Sequence, residues 1–353
     1  MDISTILKAY GIVNYELSPL GNGLINKTWL VKETSNGRNL VFQRVNHKVF
    51  KHPEDITYNI RLISDYLNEK YPEYLFTSPV KALNMSDMIQ DDEDGYFRMF
   101  LYIDGSVTHN ELQKPLQAYE AAKQFGKFTR LLSGLNMSEL RTTIPDFHNL
   151  DLRFSQFIDS LKNAEPVRYA KASECIGFLV DNQGIVDEYK RIIISKDFKL
   201  RVTHHDTKIS NVLFDSNNNG LCVIDLDTVM PGYFISDVGD MMRTYLSPIS
   251  EEEQNFDKIV VRFDFFEAIV NGYLSEMKDE LTEAEKKSII YAGKFMIYMQ
   301  ALRFITDYLN NDIYYGARYE GHNLIRGLNQ VTLLRLFLDQ EYQFQAIVDH
   351  GTI

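Results

Sequence analysis

Cysteine is scarce in this chain, with two in 353 residues, Cys175 and Cys222. They form no metal-ligand spacing, and two thiols in so long a chain argue against a disulfide scaffold and for a reducing compartment. Positive charge is also in deficit: 37 Lys and Arg stand against 49 Asp and Glu, a formal net charge of −12. Such a surface is not built to track nucleic acid phosphates or anionic lipid, so any anionic ligand must be held locally. No stretch of about 18 apolar residues occurs, and the N-terminal MDISTILKAYGI has no basic region ahead of a long apolar core. A membrane span and a secretory leader are therefore not expected, and the expected location is cytoplasmic. Nor is there a repeat or a Gly/Pro-rich tract; 44% hydrophobic and 24% charged residues are ordinary globular usage, which excludes disorder. The eight histidines show no zinc-ligand spacing beyond the adjacent His204 and His205. What remains is a chain long enough for one large unit, or for two lobes sharing a cleft. Its oligomeric state is left open.

From about residue 13 to 103 the pattern is mostly of strands: VNYELSPL, KTWLVKE, NLVFQRV and FRMFLYI are rich in aromatic and β-branched residues, with turns at GNG, SNGR and DEDG. Between them, Ile56, Ile60, Ile63 and Leu67 follow Pro53 at helical spacing, which predicts one helix leaning on a small antiparallel sheet. After about residue 110 helical periodicity dominates. Thr282 and Glu285 have capping-box spacing ahead of an apolar face running from Ile289 to Leu302. The expected fold class is α+β and two-lobed: residues 1–102 form a sheet lobe with one helix, and residues 103–353 a larger, mainly helical lobe.

One β island, residues 200–227, interrupts the helices, and the polar residues gather there. In KLRVTHHDTKISNVLFDSNNNGLCVIDLDTVMPG the apolar runs NVLFD and LCVID flank the turn-rich SNNNG, which predicts a β-hairpin with a five-residue loop. Pairing symmetric about that loop sets Asp215 opposite Leu221 and Asn211 opposite Asp225, with Cβ atoms about 5 Å apart. Two such oxygen ligands, with Asp227 close by, suit Mg²⁺, which takes few protein ligands and keeps positions for water and phosphate. Asp206, five residues before Asn211, enters the same hairpin end as a proton acceptor for an attacking hydroxyl, and Lys208 adds positive charge toward a transferring phosphoryl group. The spacing His204-x-Asp206-x4-Asn211 followed by Asp225 matches the catalytic loop and magnesium aspartate of kinases.

Through HHDTKISNVLFD, VIDLDTVMPG and Asp237 of SDVGD the chain resembles the aminoglycoside phosphotransferase and choline kinase-like superfamily. It is most similar to the N-acetylhexosamine 1-kinase branch, by PLGNGLINKTWLV, LVFQRVNHKVF, FRMFLYIDG, TIPDFHNL, ALRFITDYLNNDIYY and HNLIRG. The resemblance implies a protein-kinase-like fold and an ATP- and Mg²⁺-dependent kinase acting on a small-molecule sugar, at the anomeric hydroxyl of an N-acetylated hexosamine. It further implies Asp206 as base, Asn211 and Asp225 on the metal, Asp227 as an accessory acid, and the main chain around Leu101–Ile103 as the adenine hinge. His204 and Asp237 are expected to brace the catalytic loop.

Three assignments stay open at this level. Gly21-Asn22-Gly23 serves either to cover the ATP phosphates with main-chain amides or as an ordinary tight turn. Where protein kinases carry a phosphate-binding Lys on the third strand, NLVFQRV offers Gln43 and Arg44, of which alternation lets one face the cleft. Arg303 and Asp307, four apart on a helix, form either a clamp for sugar hydroxyl and acetamido groups or a solvated ion pair. Alternatives to the sugar kinase are a kinase for an amino alcohol or another hydroxylated metabolite, and a nucleotide-binding scaffold without turnover.

Overall fold

The computed structural model of the protein describes residues 3–21, 26–91 and 95–351. Asn22 and Gly23 lie outside the described residues.

Helix α1 (Ile3–Ala9) precedes strands β1 (Tyr15–Pro19), β2 (Lys27–Glu33) and β3 (Asn39–Val45), helix α2 (Pro53–Lys70), and strands β4 (Ile89–Asp91) and β5 (Gly95–Leu101). The strands form one antiparallel sheet in the order β1-β2-β3-β5-β4. Strand alternation sorts its side chains. Leu40, Phe42, Phe97 and Met99 point to one face, where they close a small core with Ile6, Leu7, Tyr10 and Ile12. Gln43 and Arg98, directly opposite each other in the β3–β5 register, point to the other.

The predicted face of α2 is buried at Ile56, Ile60, Ile63 and Leu67, but those residues join the main core, together with Phe125 and Phe128, and not the core under the sheet. Asn59, fully buried, explains the attachment: its Nδ2 donates to the carbonyls of Arg141 and Val229 at 2.8 and 3.0 Å, and its Oδ1 accepts the Arg141 N–H at 2.9 Å. The helix is thereby bolted to the segment that follows the acid-rich hairpin.

The C-terminal part is helical: α3 (Pro115–Leu131), α4 (Leu150–Asn163), α5 (Pro166–Asp181) and α6 (Gly184–Ile194), then, after the β island, α7 (Phe234–Tyr245), α8 (Phe263–Met277), α9 (Glu283–Lys287), α10 (Ile289–Leu309), α11 (His322–Asp339) and α12 (Glu341–Gly351). The capping box at Thr282 and Glu285 is present, but the helix it opens is only α9, and the axis restarts at Ser288, the N-cap of α10. Helices α7 and α10 cross so closely at Gly239 that an added Cβ would lie 2.2 Å from the Ala292 carbonyl oxygen. That glycine sets the depth at which α7 sits. No helix among the described residues is long and apolar enough to cross a membrane.

The β island consists of β6 (Arg201–Thr203), β7 (Val212–Phe214), β8 (Gly220–Val223) and β9 (Met230–Gly232), with β6 paired to β9 and β7 to β8. The hairpin forms where the turn composition placed it, with a different register. Asp215 N–H donates to the Asn219 carbonyl, closing the loop tightly, and a bulge at Leu213/Phe214 shifts the ladder. Asn211 consequently pairs with Ile224, not Asp225. Asp225 follows in a left-handed conformation, φ +59°, which turns the chain out of the ladder at that residue.

Candidate active site

Every main-chain group of the loop 204–207 that matters for its shape is held by a side chain. Asp237 on α7, fully buried, accepts the N–H groups of His204 and His205 at 2.9 and 2.8 Å, the bracing expected of it. Asp240, one turn on, accepts the Thr207 N–H at 2.8 Å. Thr228 Oγ1 donates to the His204 carbonyl at 2.6 Å, Asn211 Nδ2 to the Asp206 carbonyl at 2.9 Å, and Tyr245 Oη to the Thr207 carbonyl at 2.5 Å. His204 Nε2 faces the Ile224 carbonyl at 2.9 Å, so it carries the proton, and Nδ1 is left to accept the Asp206 N–H at 3.3 Å. One imidazole thus ties the residue before Asp225 to Asp206. His205 is held in the left-handed region, φ +66°, which the two bonds to Asp237 make affordable.

So braced, the Asp206 carboxylate reaches partly exposed space, with Lys208 Nζ 2.9 Å away. Burial opposes the Lys208 charge, but the Asp206 carboxylate outweighs it and raises the ammonium's pKa. Among the described residues the Asp225 carboxylate has no hydrogen-bond or salt-bridge partner. The residue is exposed to the cleft. Local desolvation by the surrounding protein, with the charges of Asp227 and Asp206 beside it, raises the pKa of its carboxyl, against the pull of Arg98 and Lys208. A carboxylate that is hard to ionise alone, next to an amide whose NH₂ is turned away to the Asp206 carbonyl, is a donor set that a divalent cation would complete. Among the described residues no group of three or more His, Cys, Asp or Glu is placed to hold a metal ion.

Asp227 is buried and fully engaged, Oδ1 to Arg98 Nη2 at 2.5 Å and Oδ2 to Asn26 Nδ2 at 2.7 Å. Gln43 is the third-strand residue on the cleft side, its Oε1 accepting from Arg98. Arg44 follows Phe42 onto the opposite face, across from Phe97. Gly21 opens the β1–β2 loop with φ +70°. Leu101 ends β5, half exposed; Tyr102 N–H donates to the Asn39 carbonyl, and the Ile103 carbonyl accepts from Ser106, so a turn begins there. Val107 then pairs with Phe214, joining this turn to the hairpin.

A separate pocket of about 470 Å³ opens between α4 and α10, lined by Arg153, Gln156, Arg303, Thr306, Tyr314 and Tyr315 among others. Arg303 and Asp307 do not pair. Asp307, buried, accepts the N–H groups of Tyr314 and Tyr315 at 2.7 and 2.9 Å and Asn323 Nδ2 at 3.0 Å, anchoring the loop that carries the two tyrosines. The Arg303 guanidinium lies 5.5 to 5.9 Å from the rings of Phe147, Tyr314 and Tyr315 and has no acidic partner among the described residues. Arg153 is likewise without one; burial and the nearby Arg303 lower its pKa. Arg153 Nε and Thr306 Oγ1 are buried with nothing to bond. Rings link this pocket to the catalytic loop: Phe147 stacks on His148 at 4.5 Å, and His148 lies 5.2 Å from His205.

His148, His204 and His205 are all pushed toward the neutral form, first by burial. For His205 the pKa falls from 6.5 to about 4. The folded protein then binds fewer protons than the unfolded chain between these values, so stability present above pH 6.5 drains away as pH falls toward 4, by up to about 3 kcal/mol. Buried acids such as Asp237, raised to about 7, bend the curve the other way. The comparison that isolates the imidazole is with His205→Gln, whose urea midpoint is expected to fall less between pH 6.5 and 4.5 than that of the wild type. Parallel curves would show that His205 takes up its proton in the fold without cost.

The sequence reading missed several residues. Asp240 was signalled by the i, i+3 spacing of acids in SDVGD, and Arg98 by a lone charge among the apolar residues of FRMFLYI. Nothing local marked Arg153 or Asn59.

A sheet lobe set against a helical lobe, with a braced acid-rich hairpin at the seam, is the two-lobed architecture of kinases. The model of the phosphotransferase enzyme family matches residues 16–261, and the chain belongs to that family of small-molecule kinases. Among solved structures it is similar to an aminoglycoside phosphotransferase from Alicyclobacillus acidocaldarius, 12% identical with a TM-score of 0.63 over 99% of this chain and 97% of that one. It is also similar to an amicoumacin kinase in complex with AMP-PNP and Ca²⁺ (14%, 0.58, 99% and 94%) and to a choline kinase from Cryptosporidium parvum (16%, 0.57, 96% and 92%). At these identities the likeness is one of fold.

Proposed function

We propose that this protein is a cytoplasmic ATP-dependent kinase that phosphorylates a sugar hydroxyl, the anomeric C1 hydroxyl of an N-acetylhexosamine. Residues 1–102 serve as the nucleotide lobe and 103–353 as the catalytic and acceptor lobe. Asp206 orients the acceptor hydroxyl and takes its proton as the oxygen bonds to the γ-phosphorus of ATP and the bond from that phosphorus to the β–γ bridging oxygen breaks, releasing ADP; Lys208 steadies Asp206 and sets positive charge beside the transferring group. Asn211 and Asp225 would hold Mg²⁺, with Asp227 behind them; that ion, when bound, neutralises charge on the phosphates. The turn at Leu101–Ile103 receives adenine, and the β1–β2 loop from Gly21 covers the phosphates.

The observation that carries the choice of acceptor is the pair of arginines in the α4–α10 pocket. Neither Arg153 nor Arg303 is ion-paired with an acid among the described residues; of the acids lining the pocket, Asp307 spends its oxygens on two main-chain N–H groups and Asn323, and Asp159 pairs with Lys162. Choline, an amino alcohol or an aminoglycoside brings positive charge and calls for acids or open aromatic faces; two uncompensated guanidinium groups repel it. A neutral polyol with an acetamido carbonyl meets them as hydrogen-bond donors, and the unpartnered Arg153 Nε and Thr306 Oγ1 gain partners. The near chain-length resemblance to N-acetylhexosamine 1-kinases supports the same choice. A coupled ADP-release screen over hexoses, N-acetylhexosamines, choline and aminoglycosides is expected to give turnover on an N-acetylhexosamine. Turnover confined to the cationic acceptors would overturn the assignment.

A further inference from the structure

The sheet carries a buried cation that the acceptor chemistry does not use. Arg98 on β5 is 1% exposed and stands where three elements meet. Gln43 of β3, its register partner, accepts from its Nε and Nη2 at 3.1 and 3.0 Å, and is itself steadied by donating to Thr28 Oγ1 of β2 at 3.1 Å. Asp227, past the end of the hairpin, accepts from Nη2 at 2.5 Å. Asn26, at the far end of the loop that Gly21 opens, bonds the other Asp227 oxygen. Phe100 supports the guanidinium from its ring face, 5.1 Å away. After all these contacts Arg98 Nη1 is still buried and, among the described residues, without a partner.

A guanidinium N–H buried without an acceptor costs stability, and it is tolerated where a ligand brings the acceptor. The surroundings define that ligand: the N–H belongs to a cation fixed by Gln43 and by Asp227, which Asn26 also bonds, and it calls for an anionic oxygen able to bond an arginine fork. In protein kinases the third strand supplies a lysine to the nucleotide phosphates. Here that position is Gln43, an uncharged residue that holds Arg98 instead. Resting on the reading of this cleft as the nucleotide site, we infer that Arg98 supplies the phosphate-binding cation and Gln43 is its holder, so that the cation has moved one strand across the sheet.

The test is calorimetric titration of the full chain with Mg-ATP and, separately, adenosine. Arg98→Met is expected to weaken Mg-ATP at least tenfold and leave adenosine within twofold. The exchange Gln43→Lys/Arg98→Gln, which returns the cation to the third strand, is expected to recover most of that loss; it also serves if Arg98→Met fails to fold. Equal weakening of both ligands, or no recovery in the exchanged variant, would mean that Arg98 is a strut between sheet and hairpin and nothing more. Wild-type protein that binds neither ligand would instead remove the nucleotide reading of the cleft.

Discussion

Asp206→Asn is expected to lower turnover by a factor of about 10² to 10⁴ while leaving the affinity for ATP and the unfolding midpoint nearly unchanged. The two side chains have one shape, and the amide oxygen can still accept from Lys208 Nζ, now 2.9 Å from the carboxylate. The bonds that hold the loop run to the main chain of residues 204–207 from Asp237, Asp240, Thr228, Asn211 and Tyr245, and none of them involves the Asp206 side chain. What is lost is the capacity to take a proton from the acceptor hydroxyl. Steady-state ADP release, with ATP binding by calorimetry and a denaturation curve alongside, separates these effects. Turnover within a few-fold of wild type would show that positioning and electrostatics alone carry the reaction and that Asp206 is not its base.

The contrast between that loop and the cleft's cation shows what a single sequence makes legible. Asp206, Lys208, Asn211 and Asp225 could be singled out as candidates from the sequence because they are local: fixed spacings in and just before one hairpin, whose turn composition announces it. Even there the ladder was misjudged by one residue, because neither the tight Asp215–Asn219 closure nor the bulge at Leu213/Phe214 leaves a compositional mark. The choice between Gln43 and Arg44 was left open, and alternation alone would not have closed it: the answer came from β5, 55 residues away, where Arg98 lies against Gln43. Asp307 illustrates another open choice. Of the two readings that the four-residue spacing allowed, a ligand clamp or an ion pair with Arg303, the ion pair does not form: the carboxylate caps two amides of a following loop, a demand that only the folded path of residues 310–316 creates. Likewise nothing in the amphipathic pattern of α2 announces that Asn59, a polar residue within it, ties the helix to the Val229 carbonyl beyond the hairpin.

Glu285→Ala is expected to destabilise the fold by about 3 to 5 kcal/mol, a larger effect than losing a helix cap alone, which costs about 1 kcal/mol. The capping-box spacing that revealed Glu285 understates it. The side chain is fully buried, and besides the Thr282 N–H at 2.9 Å it accepts from Arg201 Nη1 and Nη2 at 2.6 and 2.9 Å and from the Lys199 N–H at 2.9 Å. Arg201 is also buried and begins β6, which runs straight into the catalytic loop. Removing the carboxylate leaves that guanidinium with only the Glu280 and Lys199 carbonyls, a buried charge without a counter-ion. The cause is identifiable by a second change: Glu285→Leu with Arg201→Met removes both charges and fills the space, and is expected to regain most of the loss, because replacing a whole buried pair by apolar groups is far cheaper than breaking it. Urea denaturation followed by circular dichroism measures both variants. If the double variant is no more stable than Glu285→Ala, the carboxylate's bonds to Thr282 and Lys199, and not the stranded charge, hold the start of α9 against the root of the catalytic loop.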